Sequence, residues 1–335
     1  MTELPPLVPR MSVVICTWNR SRLLRKTLER MTELDVPPGT SWELIVVNNN
    51  SSDDTERVLD DFQSVLPLVR VFEKEPGKSN AANRAVSEAK GEYLVWTDDD
   101  VLVDPDWLKA YLAAFARWPE ASVFAGLIDP WFEEPPPAWL EQVFPEVAHA
   151  YAALNYGPTA FELTEKTPPF GANMALKRSA HLVEPYDPRL GPRPNSGLRG
   201  EETSMVRRLL ASGHIGRWIP EARVRHFIPA ERSTLAYLDQ WFQGCGEYLG
   251  LVESNDYVGP HAFGRPLWLW KEAFVNAARY HISRIFQSPD KWILEFKEAT
   301  ITRGRLITYR SKSRRARVAA ATAPGASPSQ RKVPV

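Results

Sequence analysis

Three carboxylates stand in a row at Asp98, Asp99 and Asp100, directly after the apolar run Tyr93 to Thr97. Acids packed this closely repel one another, so a cluster at the end of a buried strand calls for a cation. Their hard oxygens suit Mg²⁺ or Mn²⁺, either of which can also hold a diphosphate. The plain alternative is a solvated turn or a helix cap, and Asp104 and Asp106 fit that description beside a helix beginning near Pro105. A second acidic pair, Glu201 and Glu202, opens the segment GEETSMVRRLL. Acids at a helix N-terminus are favoured by the macrodipole, yet a carboxylate placed there can also take a proton from a hydroxyl. His226, in VRHFIP, is either a packing histidine or a further metal ligand.

These groups need elements that bring them together. Ser12 to Thr17 is a β-branched run of the length of a buried parallel strand. Asn19 and Ser21 offer caps for a helix through RLLRKTLERM, broken by Pro37, Pro38 and Gly39. A strand at Glu43 to Val47 leads into the polar turn NNNSSDDT and a helix to about Phe62. A third strand, Val69 to Glu73, is followed by EPGKSN and the helix AANRAVSEAK, and a fourth, Tyr93 to Thr97, runs into the aspartates. Strand–helix alternation with short loops predicts a doubly wound, mostly parallel sheet, in which ligands sit at the carboxyl ends of the strands. The clusters CTWN, NNNSSDD and TDDD all fall at such ends.

Farther along, Trp131 to Leu140 is a Pro-rich loop and Pro168 to Leu176 (PPFGANMAL) a turn entering a short strand. A helix is expected from Glu201 to about Ser212, after the Gly/Pro-rich stretch Gly191 to Gly200, and a strand from Arg223 to Phe227 that presents His226 at its end. Helical patterns dominate from Ser233, with aromatic stripes around Trp241 and from Trp268 to Phe274. The last ~20 residues, rich in Ala, Ser, Pro, Arg and Lys, read as a disordered tail.

Lys plus Arg and Asp plus Glu are both 41, so the chain lacks the basic excess that a nucleic-acid partner usually requires. Cys16 and Cys245 make no metal-finger spacing, which points to a reducing cytoplasm. MTELPPLVPR has no signal-peptide run and no stretch reaches 18 apolar residues, so a membrane span is not expected. No G-x-G-x-x-G follows the first strand, which argues against a nicotinamide-dependent oxidoreductase, and CTWNRSR lacks the Gly-rich phosphate loop of a nucleotidyltransferase.

MSVVICTWNRSRLLRKTLERM, LIVVNNNSSDDT and PGKSNAANRAVSEAKGEYLVWTDDDVLVDPDWL together resemble the family 2 glycosyltransferases of the GT-A fold in order and spacing. The resemblance continues more loosely through FGANMAL, GEETSMVRRLLASG and VRHFIP to about residue 245. It implies an α/β GT-A (Rossmann-like), mostly parallel sheet flanked by helices, with a helical C-terminal extension. The implied divisions are an N-terminal extension at 1–10 and a glycosyltransferase domain at 11–245, split into nucleotide-binding (11–125) and acceptor-binding (126–245) halves. A helical region at 246–312 and a basic tail at 313–335 follow.

Carried onto this chain, the resemblance places Thr17 and Asn19 near base and ribose. Asn48 stands where the family commonly has a base-contacting aspartate; an asparagine can accept from a uracil or thymine N–H and can also donate. Lys78 lies in the loop that faces the nucleotide, and Ala82 where many relatives have arginine. Lys78 or Arg84 could compensate, or each is a surface charge. Asp98 and Asp99 are placed around ribose and diphosphate, and Asp100 as the metal ligand, completed by His226. Glu202 aligns with the catalytic base, with Glu201 as the alternative, and Gly171, Ala172 and Asn173 with a turn contacting donor sugar or acceptor. The implied reaction is an inverting, Mn²⁺- or Mg²⁺-dependent transfer from a UDP-, dTDP- or GDP-linked sugar to a glycan, lipid-linked or small-molecule acceptor, in cell-surface polysaccharide assembly. A catalytically inactive sugar-nucleotide-binding or scaffold protein of the same fold is the alternative. Trp268 to Phe274, Ala277 to Phe286 and the basic run Arg303 to Arg317 read either as packing helix and solvated tail or as a peripheral contact with the inner face of the membrane.

Overall fold

The structure, a computed structural model, describes residues 10–192, 199–253, 257 and 259–309. The extension expected at 1–10 (Arg10 apart), part of the Gly/Pro-rich stretch, and the basic tail at 313–335 lie outside the described residues. The chain divides into two compact units, Met1–Phe242 and Gln243–Val335.

In the first unit, β1 (Met11–Thr17), α1 (Ser21–Met31), β2 (Trp42–Asn48), α2 (Thr55–Phe62), β3 (Leu68–Phe72), α3 (Lys78–Glu88) and β4 (Tyr93–Asp98) alternate strictly. Strands β1, β2 and β4 are almost continuous apolar runs because both of their faces are covered, whereas β3, at the edge of the sheet, exposes Arg70 and Phe72. Helix α1 buries Leu24, Thr27, Leu28 and Met31, the i, i+3, i+4, i+7 set of one face. Its entry differs from expectation. Asn19 does not cap it but turns the chain at φ 54°, with its side-chain oxygen accepting from Ser52 N–H. The cap comes from the next loop: Asp53 accepts from Ser21 N–H at 2.8 Å and also from Thr55 at the start of α2. One carboxylate therefore fixes two helix N-termini.

The chain continues as β5 (Val101–Val103), α4 (Trp107–Arg117), β6 (Val123–Phe132), α5 (Ala138–Val147), β7 (Met174–Lys177), α6 (Arg178–Val183), α7 (Glu201–Ala211) and β8 (Gly216–Ile228). The sheet has eight strands in the order β3-β2-β1-β4-β7-β6-β8-β5. The first four are parallel; β7 runs antiparallel to β4 and β6, and β5 antiparallel to β8. Strand order reverses between β1 and β4, the switch point at which a crevice opens above the strand ends.

Strand β8 is longer than its sequence pattern indicates and carries an irregularity. It pairs with β6 as Gly126↔Ile219, then as Leu127↔Arg223, so Pro220, Glu221 and Ala222 bulge out of the ladder. Beyond the bulge, His226 lies opposite Val101, and Phe227 N–H donates to Asp100 O at 2.9 Å. Helix α8 (Leu235–Glu253) crosses the unit boundary.

The second unit continues with the hairpin β9 (His261–Ala262) and β10 (Arg265–Pro266), then α9 (Leu267–Phe286) and α10 (Pro289–Thr308). Helices α9 and α10 are joined through the buried bond from Asn276 to Thr302 Oγ1 at 3.0 Å. Among the described residues no helix is long and apolar enough to cross a membrane.

Candidate active site

Parallel register puts the polar residues side by side at the carboxyl ends: Thr17 opposite Asn48, and Cys16 opposite Asp98. The aspartate triplet makes the turn from β4 into β5, and β8 delivers His226 beside it. Asp98, Asp100 and His226 each offer a ligand atom, all within 4.8 Å of one another. Asp100 Oδ1 lies 3.3 Å from His226 Nε2 and, although buried, accepts no hydrogen bond among the described residues. Burial works against ionisation of Asp100, but His226 and Arg20 outweigh it and hold its carboxyl below the usual range. A buried carboxylate oxygen without a donor, facing an imidazole nitrogen and a second carboxylate, fits a divalent cation.

Asp99 turns the other way. It accepts from Thr17 Oγ1 at 2.7 Å and Arg20 Nη1 at 3.0 Å, and its backbone oxygen accepts from Thr27. Burial pushes its pKa up to about 6, against the pull of Arg20. Thr17 and Asp99, expected beside the nucleotide, therefore engage each other. Arg20 also reaches Asp100 Oδ2 at 2.9 Å, so one guanidinium neutralises two of the three aspartates. The sequence reading overlooks Arg20, although it sits one residue past CTWN at the same strand end.

The second acidic pair meets the first through Lys78. Its Nζ lies 2.8 Å from Asp98 Oδ1 and 2.8 Å from Glu202 Oε1. Burial disfavours the ammonium, yet Asp98, Glu202 and Glu201 overcome that cost and keep its pKa well above the ordinary value. Lys78 is thus no surface charge. Helix α3 begins at Lys78 rather than Ala81, because Gly77 at φ 122° turns the chain and is pinned by Asn49 Oδ1. Arg84 is the surface charge of the two, paired with Glu88 across one helical turn. Ala82 is buried in the wall of the small pocket that Lys78, Asp98 and both glutamates share.

Glu202 is held at the start of α7 by Gly171 N–H at 3.0 Å. A Cβ at position 171 would collide with the Glu202 carboxylate, so the glycine of the GAN turn is what allows this approach. Glu201 is buried, and burial together with Glu202 lifts its pKa to about 7. Ala172 is buried too, its carbonyl accepting from Thr97.

Asn173 departs from expectation. Its oxygen accepts from Trp107 Nε1 and Tyr111 Oη, both at 2.8 Å, and its amide donates to Leu127 O and Ala222 O. Two acceptor sites and two donors are all used inside the core, so the side chain has nothing left for a sugar. Asn48 is engaged as well: its oxygen accepts from Ser51 N–H and its amide donates to Glu56.

The sequence model of Glycosyl transferase family 2 matches residues 12–182. The chain is 24% identical over 229 residues to succinoglycan biosynthesis protein ExoM of Rhizobium meliloti, covering 67% of this chain and 69% of that protein. It is 32% identical over 121 residues to validoxylamine A glucosyltransferase of Streptomyces hygroscopicus subsp. limoneus, covering 36% of this chain and 26% of that one. That match thus spans about a quarter of the relative's length, as does the 28% covered of a poly-β-1,6-N-acetyl-D-glucosamine synthase of Staphylococcus epidermidis. Among solved structures, mannosyltransferase PcManGT from Pyrobaculum calidifontis, in complex with GDP-Man and Mn²⁺, superposes with a TM-score of 0.55 at 20% identity, covering 91% of this chain and 87% of that one. S. aureus TarS 1-349 in complex with UDP-GlcNAc gives 0.52 at 14%, covering 88% and 89%. The curled eight-stranded sheet with flanking helices is the GT-A fold that these structures share. With the family's sequence model matched from Ser12 to Leu182, the chain belongs to glycosyl transferase family 2.

Proposed function

We propose that this chain transfers a sugar from a nucleoside-diphosphate donor to an acceptor hydroxyl, with inversion and with a divalent cation. The observation that carries the reading is Lys78, whose ammonium lies 2.8 Å from Asp98 on the donor side and 2.8 Å from Glu202 on the other. Asp98, Asp100 and His226 hold the cation; two carboxylates with one imidazole suit Mn²⁺ better than Mg²⁺, which prefers oxygen throughout. Bound there, the ion supplies positive charge against the departing diphosphate. Arg20 and Lys78 add two fixed cations for the same phosphates.

Glu202 takes the acceptor's proton as the acceptor oxygen bonds to the anomeric carbon; the bond to the diphosphate breaks, and the nucleoside diphosphate leaves with the electron pair. A single displacement of this kind needs no covalent sugar–enzyme intermediate. Gly171 N–H orients the Glu202 carboxylate, and Glu201, buried behind it, is the alternative base. The donor is UDP-, dTDP- or GDP-linked, and the acceptor a glycan, lipid-linked or small-molecule hydroxyl. Succinoglycan biosynthesis, in the name of the relative from Rhizobium meliloti, supports a place in cell-surface polysaccharide assembly.

Calorimetry against UDP, GDP, dTDP and CDP, with Mn²⁺ and with EDTA, tests this reading. One nucleotide should bind, it should need the metal, and Asp100→Ala should abolish the difference between the two conditions. If no nucleotide binds under either condition, the fold serves as a scaffold and the proposal fails.

A further inference from the structure

Helix α9 presents the wrong face to water. Its buried residues, Leu269, Asn276 and Ser283, recur at a spacing of seven and so share one side. At 100° per residue the opposite side carries Leu267, Phe274 and Ile285 at its centre, with Trp270 about 60° round to one flank, Ile282 about 60° round to the other, and Phe286 beyond Ile282. All six are exposed, Phe274 at 76%, Ile285 at 74% and Phe286 at 80%. The β9–β10 hairpin prolongs this strip. Phe263 stands at its apex in the left-handed region, φ 49°, with 92% of its surface open. Its ring lies edge-on to Trp270 at 6.1 Å, and Trp270 Nε1 donates to Ala262 O at 2.9 Å, fixing hairpin to helix. Over the 20 residues of α9 the strip runs about 30 Å.

Charge says what covers it. Lys271 lies within the apolar arc, and Arg279 and Arg284 flank it on either side. Lys271, Arg279 and Arg284 have no anionic partner among the described residues; Arg284 lies over the rings of Tyr280 and Trp292 and donates to the Tyr280 hydroxyl. The single acid of the helix, Glu272, is half-buried and paired with Arg305 at 2.7 Å. A second copy of this face would bring like charges together. The chain beyond residue 309 is no better suited as a cover: it holds Arg310, Lys312, Arg314, Arg315, Arg317, Arg331 and Lys332 and no acid.

We infer that α9 and the Phe263 hairpin form a docking surface for an anionic lipid bilayer, with the helix lying in the interfacial plane and its cations at the headgroups. Aromatic and aliphatic side chains on one arc with Lys and Arg at its edges are what such a surface requires, and the basic run that follows adds to the attraction. The inference is independent of sugar transfer and is tested with no donor present.

Full-length protein is mixed with sedimentable vesicles of phosphatidylcholine alone, or of equal parts phosphatidylcholine and phosphatidylglycerol. The native chain should pellet with the anionic vesicles and not with the neutral ones. Phe274→Ser with Ile285→Ser should weaken binding about tenfold or more, as the loss of two buried apolar side chains predicts. Lys271→Glu and Arg279→Glu should each weaken it at least about fivefold. All four positions are exposed, so the thermal midpoint should not move. A native chain that ignores anionic vesicles, or variants that pellet as it does, would overturn the inference. So would a dimer in solution that dissociates with Phe274→Ser while no vesicle is bound.

Discussion

The strand ends of the sheet and the outer face of α9 depart from ordinary burial in opposite directions. At the strand ends five carboxylates, Asp98, Asp99, Asp100, Glu201 and Glu202, are largely withdrawn from water; on α9 six large apolar side chains are left in it. The first departure is compensated inside the unit. Lys78 and Arg20 span the carboxylates, and Thr17 and Gly171 N–H supply hydrogen bonds. The second has no compensation among the described residues of its own unit. Buried charge needs partners at once, because an unpaired ion in a protein interior costs several kcal/mol. Exposed hydrocarbon costs far less and can wait for a surface. A polar site can therefore be read from its internal pairings, whereas a docking face is read from what is missing.

The largest expected effect breaks the first half of that contrast. Glu202→Gln keeps the shape and removes the proposed base, so kcat should fall about 10²- to 10⁴-fold while nucleotide affinity holds. A variant that still turns over near the native rate would move the role to Glu201. Next, Gly171→Ala drives a methyl into the Glu202 carboxylate and displaces it. Turnover should drop about 100-fold, the scale of a 1 Å misplacement, with the chain still folded by circular dichroism. An unaffected rate would mean that the position of Glu202 does not matter.

A smaller effect sharpens the rule that buried polar groups need partners. His181 is fully buried between Trp96 and Tyr186, and neither ring nitrogen finds a partner among the described residues. Burial drops its pKa to about 3. The unfolded imidazole titrates near 6.5, so the unfolded chain binds the extra proton between those values. Stability is complete above about pH 6.5 and is lost, by about 1.4 kcal/mol per pH unit, as pH falls towards 3. His181→Phe should flatten that slope when urea unfolding is compared at pH 7 and pH 5. An unchanged slope would assign the acid sensitivity to the carboxylates instead.

How far the sequence reveals these features depends on the distance over which each is built. The strands β1 to β4 and the polar clusters that follow them are legible because apolar runs and turn residues are local signals. Lys78 is not, because its worth depends on Asp98 and Glu202, and Glu202 lies on a helix that the chain reaches only after four more strands. Arg20 is invisible for the same reason, since nothing near it in sequence indicates that it spans two aspartates. Asn173 misleads: a polar residue in a turn beside the site suggests a ligand contact, while Trp107, Tyr111, Leu127 and Ala222 take up its whole bonding capacity. The apolar stripe of α9 shows in the periodicity, but which side faces outward is set by α10.

The bulge in β8 carries a consequence of parity. Side chains on a strand alternate sides, so an odd insertion exchanges the two sets and an even one restores them. Pro220, Glu221 and Ala222 make an odd insertion, and the Asn173 amide ties Leu127 O and Ala222 O together at that place. If one residue were removed from the bulge and the strand beyond it slid one place against β6 and β5, the His226 imidazole would move to the far side of the sheet and Arg225 or Phe227 would come round to the aspartates. A guanidinium there would occupy the carboxylates permanently, and a phenyl ring would offer them nothing. Which side chain stands beside Asp98 and Asp100 thus depends on the register that β8 takes after a bulge of three residues.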